Sequence, residues 1–516
     1  MDTPASTKAL MNPLGSSSKI WSSKEPLVED ESSEGIRQVT RIPFSTQLLN
    51  LIFPYLDAPS LKSARSVCTL WAELSTSFLG KWTSVTFTTE NCCREEISKS
   101  SKELGSLHPK LAKSVVLVLA QPPCGWISLP KNLTTNLPHI SDHIVEFDVT
   151  LSSRFEPTLE RMWMMHHFPN LGLLTLTFVM INIDTSDNSE NEDDNYNENH
   201  PPHKIPQFLN LPNLKSLKIV VKDKSEIDQD DGISSICQGL LNSAACVENV
   251  TIDASFYPDF TPCTKLDMLA YTFIHFEDFG QVYVDIPILT WMLGTCRNYL
   301  TRLTLSGQHD WEAFDPGTLM LPSMPNLVVL HIEEIFPLGN FLHSVHLPSD
   351  PHFDLPHKQI TSLDVEAVYR YFDQDVETAA RIVRLFPSVK KFRFKMTILD
   401  EGEDDPHVME LLQSFATWDL TSGLVEIESD QETTDVLAVL RGVAMWKGLS
   451  RTSVNFEVKG SPKFVLDDEM EEILLYCRSL RWIKMSGFQM EEEEREKFEE
   501  FIEEHALQIS LLNWVN

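Results

Sequence analysis

An apolar triplet at positions i, i+3 and i+5 recurs along the chain, often behind a Pro-Asn or Cys-Arg turn. It stands at Leu171/Leu174/Leu176, Leu214/Leu217/Ile219, Leu300/Leu303/Leu305 and Leu327/Leu330/Ile332. It continues at Ile360/Leu363/Val365, Val389/Phe392/Phe394 and Leu480/Ile483/Met485, with weaker copies at Ile144/Phe147/Val149 and Val247/Val250/Ile252. Two members of three survive at Val425/Ile427 and Val454/Phe456. The last two positions of a triplet differ by two, so both face one side of a short strand, while the lead residue turns inward from the preceding bend. Lead positions 300, 327, 360 and 389 are 27, 33 and 29 residues apart, and 144 to 171 is again 27. That is the length of one strand plus one helical return. Apolar residues at helical spacing over 375–386 and 467–477 predict two such helices.

One unit alone would leave its apolar face wet, and stacking buries it. The pattern therefore predicts an α/β solenoid with parallel strands on a concave side and helices outside. The interval from 171 to 214 is 43 residues and contains 184–199, with seven acids and no Lys or Arg. This reads as a solvated acidic loop, set within 183–204. The 53 residues between 247 and 300 leave room for a further degenerate unit. The triplets resemble the leucine-rich-repeat family over roughly residues 82–512. That family places Asn or Cys eight residues after the lead, bonding the turns of neighbouring coils. The corresponding residues are Val179, Lys222, Ser255, Gln308, Ile335, Val368, Thr397 and Phe488, none of them Asn or Cys, so irregular coils are expected.

Ahead of the repeats the period changes. Leu48, Leu49, Ile52, Phe53 and Leu56 form a broad helical stripe, Asp57-Ala-Pro59-Ser60 interrupts it, and Leu61, Ala64, Val67, Cys68, Trp71 and Leu74 resume it. Ser60 is a candidate N-cap, and Pro54 removes a backbone donor in the last turn of the first helix. About forty residues cannot enclose much core, so part of the stripe needs an outside cover. The order Ile42-Pro43, Leu48-Leu49, Ile52-Phe53, Tyr55-Leu56-Asp57, Leu61, Val67-Cys68 and Trp71 resembles the F-box family, with Ile42 in place of its usual opening Leu. The resemblance implies docking on an SKP-type adaptor, and through it on cullin and RING subunits of a ubiquitin ligase. Pro43, Leu48, Ile52, Phe53 and Leu56 would then give the first adaptor-facing surface. Leu61, Val67, Cys68 and Trp71 would hold the helices together and complete the contact, with Leu49 in the same stripe. The plainer reading of 42–74 is a helical cap for the solenoid.

The expected organisation is a disordered tail at 1–39, rich in Ser, Pro, Lys and Glu, an all-α F-box at 40–80, and an irregular leucine-rich-repeat-like solenoid at 81–516. Charge narrows the partners: 42 Lys+Arg against 75 Asp+Glu gives a net −33, which repels nucleic acid and anionic membranes and favours a basic protein target. Nine cysteines in 516 residues are too sparse for a disulfide framework, which points to a reducing compartment, cytoplasmic, nuclear or both. No signal-peptide core or membrane-length apolar run is evident, and the sequons at Asn132 and Asn249 read as accidental.

Catalysis has no anchor in the sequence: there is no GxxxxGK loop, no GxSxG elbow and no HExxH helix. Cys92-Cys93, His166-His167 and His200/His203 lack the spacing of a closed metal site, and neither cofactor nor metal is expected. Nine Glu over 491–504, with Phe498, Phe501 and Ile502 on one side, predict a terminal amphipathic helix. Its acidic face, or the 184–199 loop, is a candidate attractor for a basic target. The sequence thus predicts a non-catalytic substrate receptor of a ubiquitin ligase. A non-degradative scaffold or protein-binding module is the alternative.

Overall fold

The computed structural model describes residues 46–81, 84–88, 109–119, 137–152, 156–179, 205–222, 231–254, 256–273, 286–307, 321–333, 356–369, 375–398, 407–429, 433–458 and 463–512. The expected tail at 1–39, Pro43, Cys92-Cys93, the acidic stretch 184–199 and His200/His203 lie outside them. The chain forms two compact units, Met1–Leu51 and Ile52–Asn516. In the first, helix α1 begins at Thr46, and it ends at Ile52.

In the second unit, Ile52 is followed by a 3-10 turn, Phe53–Tyr55, which carries Pro54 in its first positions. Helices α2 (Ala58–Ala64) and α3 (Thr69–Leu79) follow. Proline cannot donate to an α-helical ladder, and the chain tightens at that point. The cap of α2 is Asp57 rather than Ser60: its side chain accepts the Ser60 N–H at 2.9 Å. Pro59 has no N–H to satisfy in that first turn, so the helix starts two residues before the proposed cap.

Among the described residues, fifteen strands then pair in sequence order in one all-parallel sheet. They are β1 (Ser84–Thr88), β2 (Ser114–Leu119), β3 (Glu146–Ser152), β4 (Leu173–Val179) and β5 (Ser216–Lys222). Next come β6 (Asn249–Asp253), β7 (Met268–Phe273), β8 (Arg302–Gly307), β9 (Val329–Glu333) and β10 (Ser362–Tyr369). The last five are β11 (Lys391–Ile398), β12 (Ser422–Ser429), β13 (Thr452–Val458), β14 (Trp482–Ser486) and β15 (Ile509–Leu512). Parallel strands that pair only with their sequence neighbours require a return segment after each one, which is the topology of stacked coils.

The register explains the triplets. Val149, Leu176, Ile219 and Ile252 stand level across β3 to β6, and Leu305, Ile332, Val365 and Phe394 across β8 to β11, all buried. The interval between 247 and 300 does hold another coil: Leu266 leads it, and Leu269 and Tyr271 fill the two inward rungs of β7. Its return over 256–267 contains no helix. Elsewhere the returns include α4 (Glu156–Met165), α5 (Asp231–Ser243), α6 (Ile286–Cys296) and α7 (Asp375–Leu385). Further along are α8 (His407–Ser414), α9 (Thr433–Ala444), α10 (Asp468–Tyr476) and α11 (Glu492–His505). Their apolar residues join the inward strand residues in one continuous core.

The C-terminal coils are slid by two residues. Ile483, second member of its triplet, stands level with the third members Phe394 and Val365 through Val454 and Val425. At the preceding rung Phe392 is followed by Gly423 and then Thr452. A Cβ on Gly423 would lie 2.7 Å from Thr452 Oγ1, inside contact distance, so this rung admits only hydrogen there. Beside it, Phe392, Phe415, Trp418 and Trp446 form an aromatic cluster, with Phe392 at 4.8 Å from both Phe415 and Trp418.

Coil-to-coil bonds replace the missing Asn or Cys of the leucine-rich-repeat pattern. The residue just before a lead does this work: Asn170, Asn213 and Asn326 donate side-chain N–H to Asp142 O, Pro169 O and Asn298 O at 2.6, 2.7 and 2.6 Å. Gln359 donates likewise to Met324 O at 2.7 Å. Further on, indoles take over, with Trp418 Nε1 donating to Phe386 O at 3.0 Å and Trp446 Nε1 to Leu412 O at 2.7 Å. Each bond ties a side-chain donor to a carbonyl at a turn or helix end of the preceding coil, and Met324 O accepts from Leu327 N–H as well.

Candidate functional site: outward apolar side chains near the N-terminus

Of the eighteen exposed large hydrophobic residues among those described, six fall between 48 and 70. This stretch is therefore where an apolar partner surface is to be sought. Within α1, Leu48 is 42% and Leu51 68% exposed, while Leu49 is fully buried.

In the second unit Ile52 is 40%, Tyr55 90%, Val67 59% and Leu70 40% exposed. Cys68 is exposed as well, and Leu56 and Trp71 are half-buried. Leu61 and Ala64 are buried where α2 meets α3. Phe53 departs from the expected outer surface. Its ring is buried, edge-on to Trp71 at 5.5 Å and to Phe78 at 6.0 Å. The 3-10 turn at Pro54 turns Phe53 inward and leaves Tyr55 outward, orientations that the helical offsets alone did not reveal. Leu51 and Tyr55 are four residues apart beside Ile52, a spacing legible in the sequence but missing from the expected set.

The opposite side of α3 is tied to the first coils. Glu73 pairs with Lys110 at 2.9 Å, Lys113 Nζ reaches Ser77 Oγ at 3.3 Å, and Leu79 is buried. Gly80 sits so close that a Cβ there would lie 2.5 Å from Lys110 O. Burial, aided by the charge of Lys81, lowers the Lys113 pKa. These contacts give α3 the position of a cap on the sheet's first strands.

A second feature lies on the sheet face away from the returns. Arg393 bridges Glu426 at 2.6 Å and Asp364 at 3.5 Å, and Lys395 pairs with Glu366. His331 Nε2 stands 3.2 Å from Glu333 and 3.4 Å from Asp364. Burial raises the Asp364 pKa against the opposing pull of His331 and Arg393. The bond to Glu366 raises the pKa of Lys395.

Candidate chemistry elsewhere is sparse among the described residues. His166 is buried, its pKa lowered by that burial, and His167 is exposed. Burial pushes the thiols of Cys263, Cys296 and Cys477 up to about 12, which keeps them protonated. Among the described residues no group of His, Cys, Asp or Glu is placed to hold a metal ion, and no helix is long and apolar enough to cross a membrane. The terminal helix α11 buries Phe498, with Phe501 and Ile502 half-buried.

The architecture defines a mixed α/β repeat protein, leucine-rich-repeat-like in its sequential parallel sheet. No family model and no curated protein matches the chain. Among solved structures it is similar to the crystal structure of the mouse RP105/MD-1 complex, with 12% identity and a TM-score of 0.32. The match covers 84% of this chain and 64% of that one, so the chain spans less than two thirds of its length. At that overlap, the repeat architecture rests on the strand ladder itself.

Proposed function

We propose that the chain is the substrate-recognition subunit of an SKP-cullin-F-box type ubiquitin ligase, docking on an SKP-type adaptor and holding a protein target on its repeats. The observation that carries this reading is the outward placement of Ile52, Tyr55, Val67 and Leu70 in an otherwise acidic protein. Such side chains gain about 1.5–3 kcal/mol each when a partner buries them. The typed order from Pro43 to Trp71 is what directs the choice of partner toward an SKP-type adaptor. The chain itself performs no bond chemistry in this reading. It supplies proximity between its target and a ubiquitin-conjugating enzyme recruited by the RING subunit.

The test is capture of a purified SKP-type adaptor by the full chain and by Ile52→Glu. An unpaired carboxylate in an apolar contact, added to the lost burial, costs about 3 kcal/mol or more, a loss of over ~100-fold in affinity. Alkylation offers an independent readout: the exposed Cys68 thiol should become protected when the adaptor binds. Undiminished capture by Ile52→Glu would reject the docking surface.

The contacts of α3 with Lys110 and Lys113 favour a second reading, in which the helices serve as a cap and the repeats as a non-degradative scaffold. Target abundance after removal of the protein separates the two. A rise supports ligase function, and no change supports a scaffold.

A further inference from the structure

Three hydroxyl residues follow one another near the end of α3, and they differ in where their side chains bond. Ser75 and Thr76 are buried and donate back to Trp71 O and Ala72 O within the helix. Ser77 is half-buried, and its Oγ accepts from Lys113 Nζ of the first coils at 3.3 Å. The helical course runs on past Leu79, with Gly80 N–H donating to Thr76 O and Lys81 N–H to Phe78 O. Lys81 therefore stands one turn beyond Ser77 on the same side of α3. It is exposed, with Nζ 5.4 Å from the centre of the Phe78 ring. One turn before Ser77, Glu73 is bridged to Lys110. Among the described residues no carboxylate acts on Lys113: burial and the charge of Lys81 both press its ammonium toward losing its proton. In a chain of net −33 charge, two ammonium groups beside one hydroxyl leave a place for an anion.

We propose that Ser77 is a phosphorylation site whose phosphate is held by Lys113 and Lys81 and ties α3 to the first coils. The phosphoryl group comes from a nucleoside triphosphate brought by an external protein kinase. Ser77 Oγ attacks the γ-phosphorus, and the new Oγ–P bond replaces the bond from that phosphorus to the bridging oxygen. Nucleoside diphosphate leaves, and the hydroxyl proton passes to the kinase's base. Ser77 is two residues from the helix end, where fraying of the last turn opens it to the kinase. A phosphoserine carries about −1.5 to −2 charge at pH 7 and offers three strong acceptor oxygens in place of one hydroxyl. Both lysines reach it on flexible four-carbon stems. The C-terminal end of α3 opposes the phosphate with about half a negative charge, which two full positive charges outweigh. Val67 and Leu70 stand at the opposite end of α3, so the inference goes beyond the adaptor reading and holds or fails without it.

The experiment uses the full chain with phosphoserine placed at position 77 by codon suppression, beside the unmodified chain. Phosphorus-31 NMR should find the second ionisation of that phosphate about one unit below its usual value near 6. Lys81→Gln with Lys113→Gln in the phosphorylated chain should return it to about 6. Should the double variant not fold, Lys81→Gln alone, at an exposed position, should still bring it part of the way. Hydrogen exchange in α3 and β2 should slow about tenfold on phosphorylation of the parent chain and stay unchanged in the lysine variants. Mass spectrometry of the protein isolated from its own cells under phosphatase inhibitors should place phosphate on Ser77 and not on Ser75 or Thr76. An ordinary phosphate ionisation in the parent, a lowered one that survives loss of the lysines, unchanged exchange, or no phosphate on Ser77 in cells would each overturn the proposal.

Discussion

Replacing Trp418 by Phe should loosen the junction between two coils and little else. The indole is buried, donates to Phe386 O at 3.0 Å, stacks on Phe415 at 5.2 Å and meets Phe392 edge-on at 4.8 Å. Phe386 directly follows α7, so its carbonyl belongs to a helix end that has no intrahelical partner to spare. Phenylalanine keeps most of the ring contacts but leaves that carbonyl unpaired, at about 1–3 kcal/mol. The smaller ring leaves a void worth roughly 1 kcal/mol more. In a stacked architecture each coil is stabilised by its neighbours, so about 2–4 kcal/mol should appear as local opening. Hydrogen exchange resolved by peptide should therefore speed up about 30-fold to 1,000-fold in β11 and β12, at tenfold per 1.4 kcal/mol. Peptides of β3 to β6 should keep their wild-type rates. Unchanged exchange in β11 and β12, or an equal increase throughout the sheet, would refute the idea that indoles staple these coils.

Three further outcomes follow from single positions. Gly423→Val places a branched side chain against Thr452, which is fully buried, and should cost about 1–3 kcal/mol in denaturant unfolding; Thr452→Ala in the same chain should recover part of it, and strict additivity would argue against a direct clash. Burial raises the Asp364 pKa, so its contribution to stability is full below the unfolded carboxylate value and is lost as pH rises through the raised folded value. Asp364→Asn should gain stability relative to the parent at neutral pH and lose that advantage in acid; a difference constant with pH would contradict the burial effect. Iodoacetamide at pH 8 should label Cys68 in the folded chain and spare Cys263, Cys296 and Cys477 until unfolding, and mass spectrometry finding those three labelled early would contradict their burial.

Much of the coil order was legible because the inward rungs demand apolar side chains at fixed offsets. Leu171/Leu174/Leu176 and Leu327/Leu330/Ile332 are buried as their spacing required. Other coils were hidden by substitutions that burial tolerates. Ala112 leads Val115 and Leu117 in β2, and an alanine there carries no signal above background. The coil of Leu266, Leu269 and Tyr271 lacks a Pro-Asn turn and a return helix, so only the empty interval betrayed it. The slide at Gly423 was invisible for a different reason: Leu480/Ile483/Met485 has the same spacing as the other triplets, and register is fixed by pairing between strands, not by spacing within one. Near the N-terminus, periodicity found the apolar residues but not which way each one points. The 3-10 turn around Pro54 ends the α-helical phase, and within it Phe53 turns inward while Tyr55 stands outward.

The most direct measurement is titration of the full-length chain with a purified SKP-type adaptor by calorimetry, with Ile52→Glu in parallel and hydrogen exchange confirming that the variant's sheet is intact. A one-to-one complex for the parent chain, lost in the variant, is the predicted result. No complex with the parent, or equal binding by both, would contradict the assignment of these helices as an adaptor-docking module.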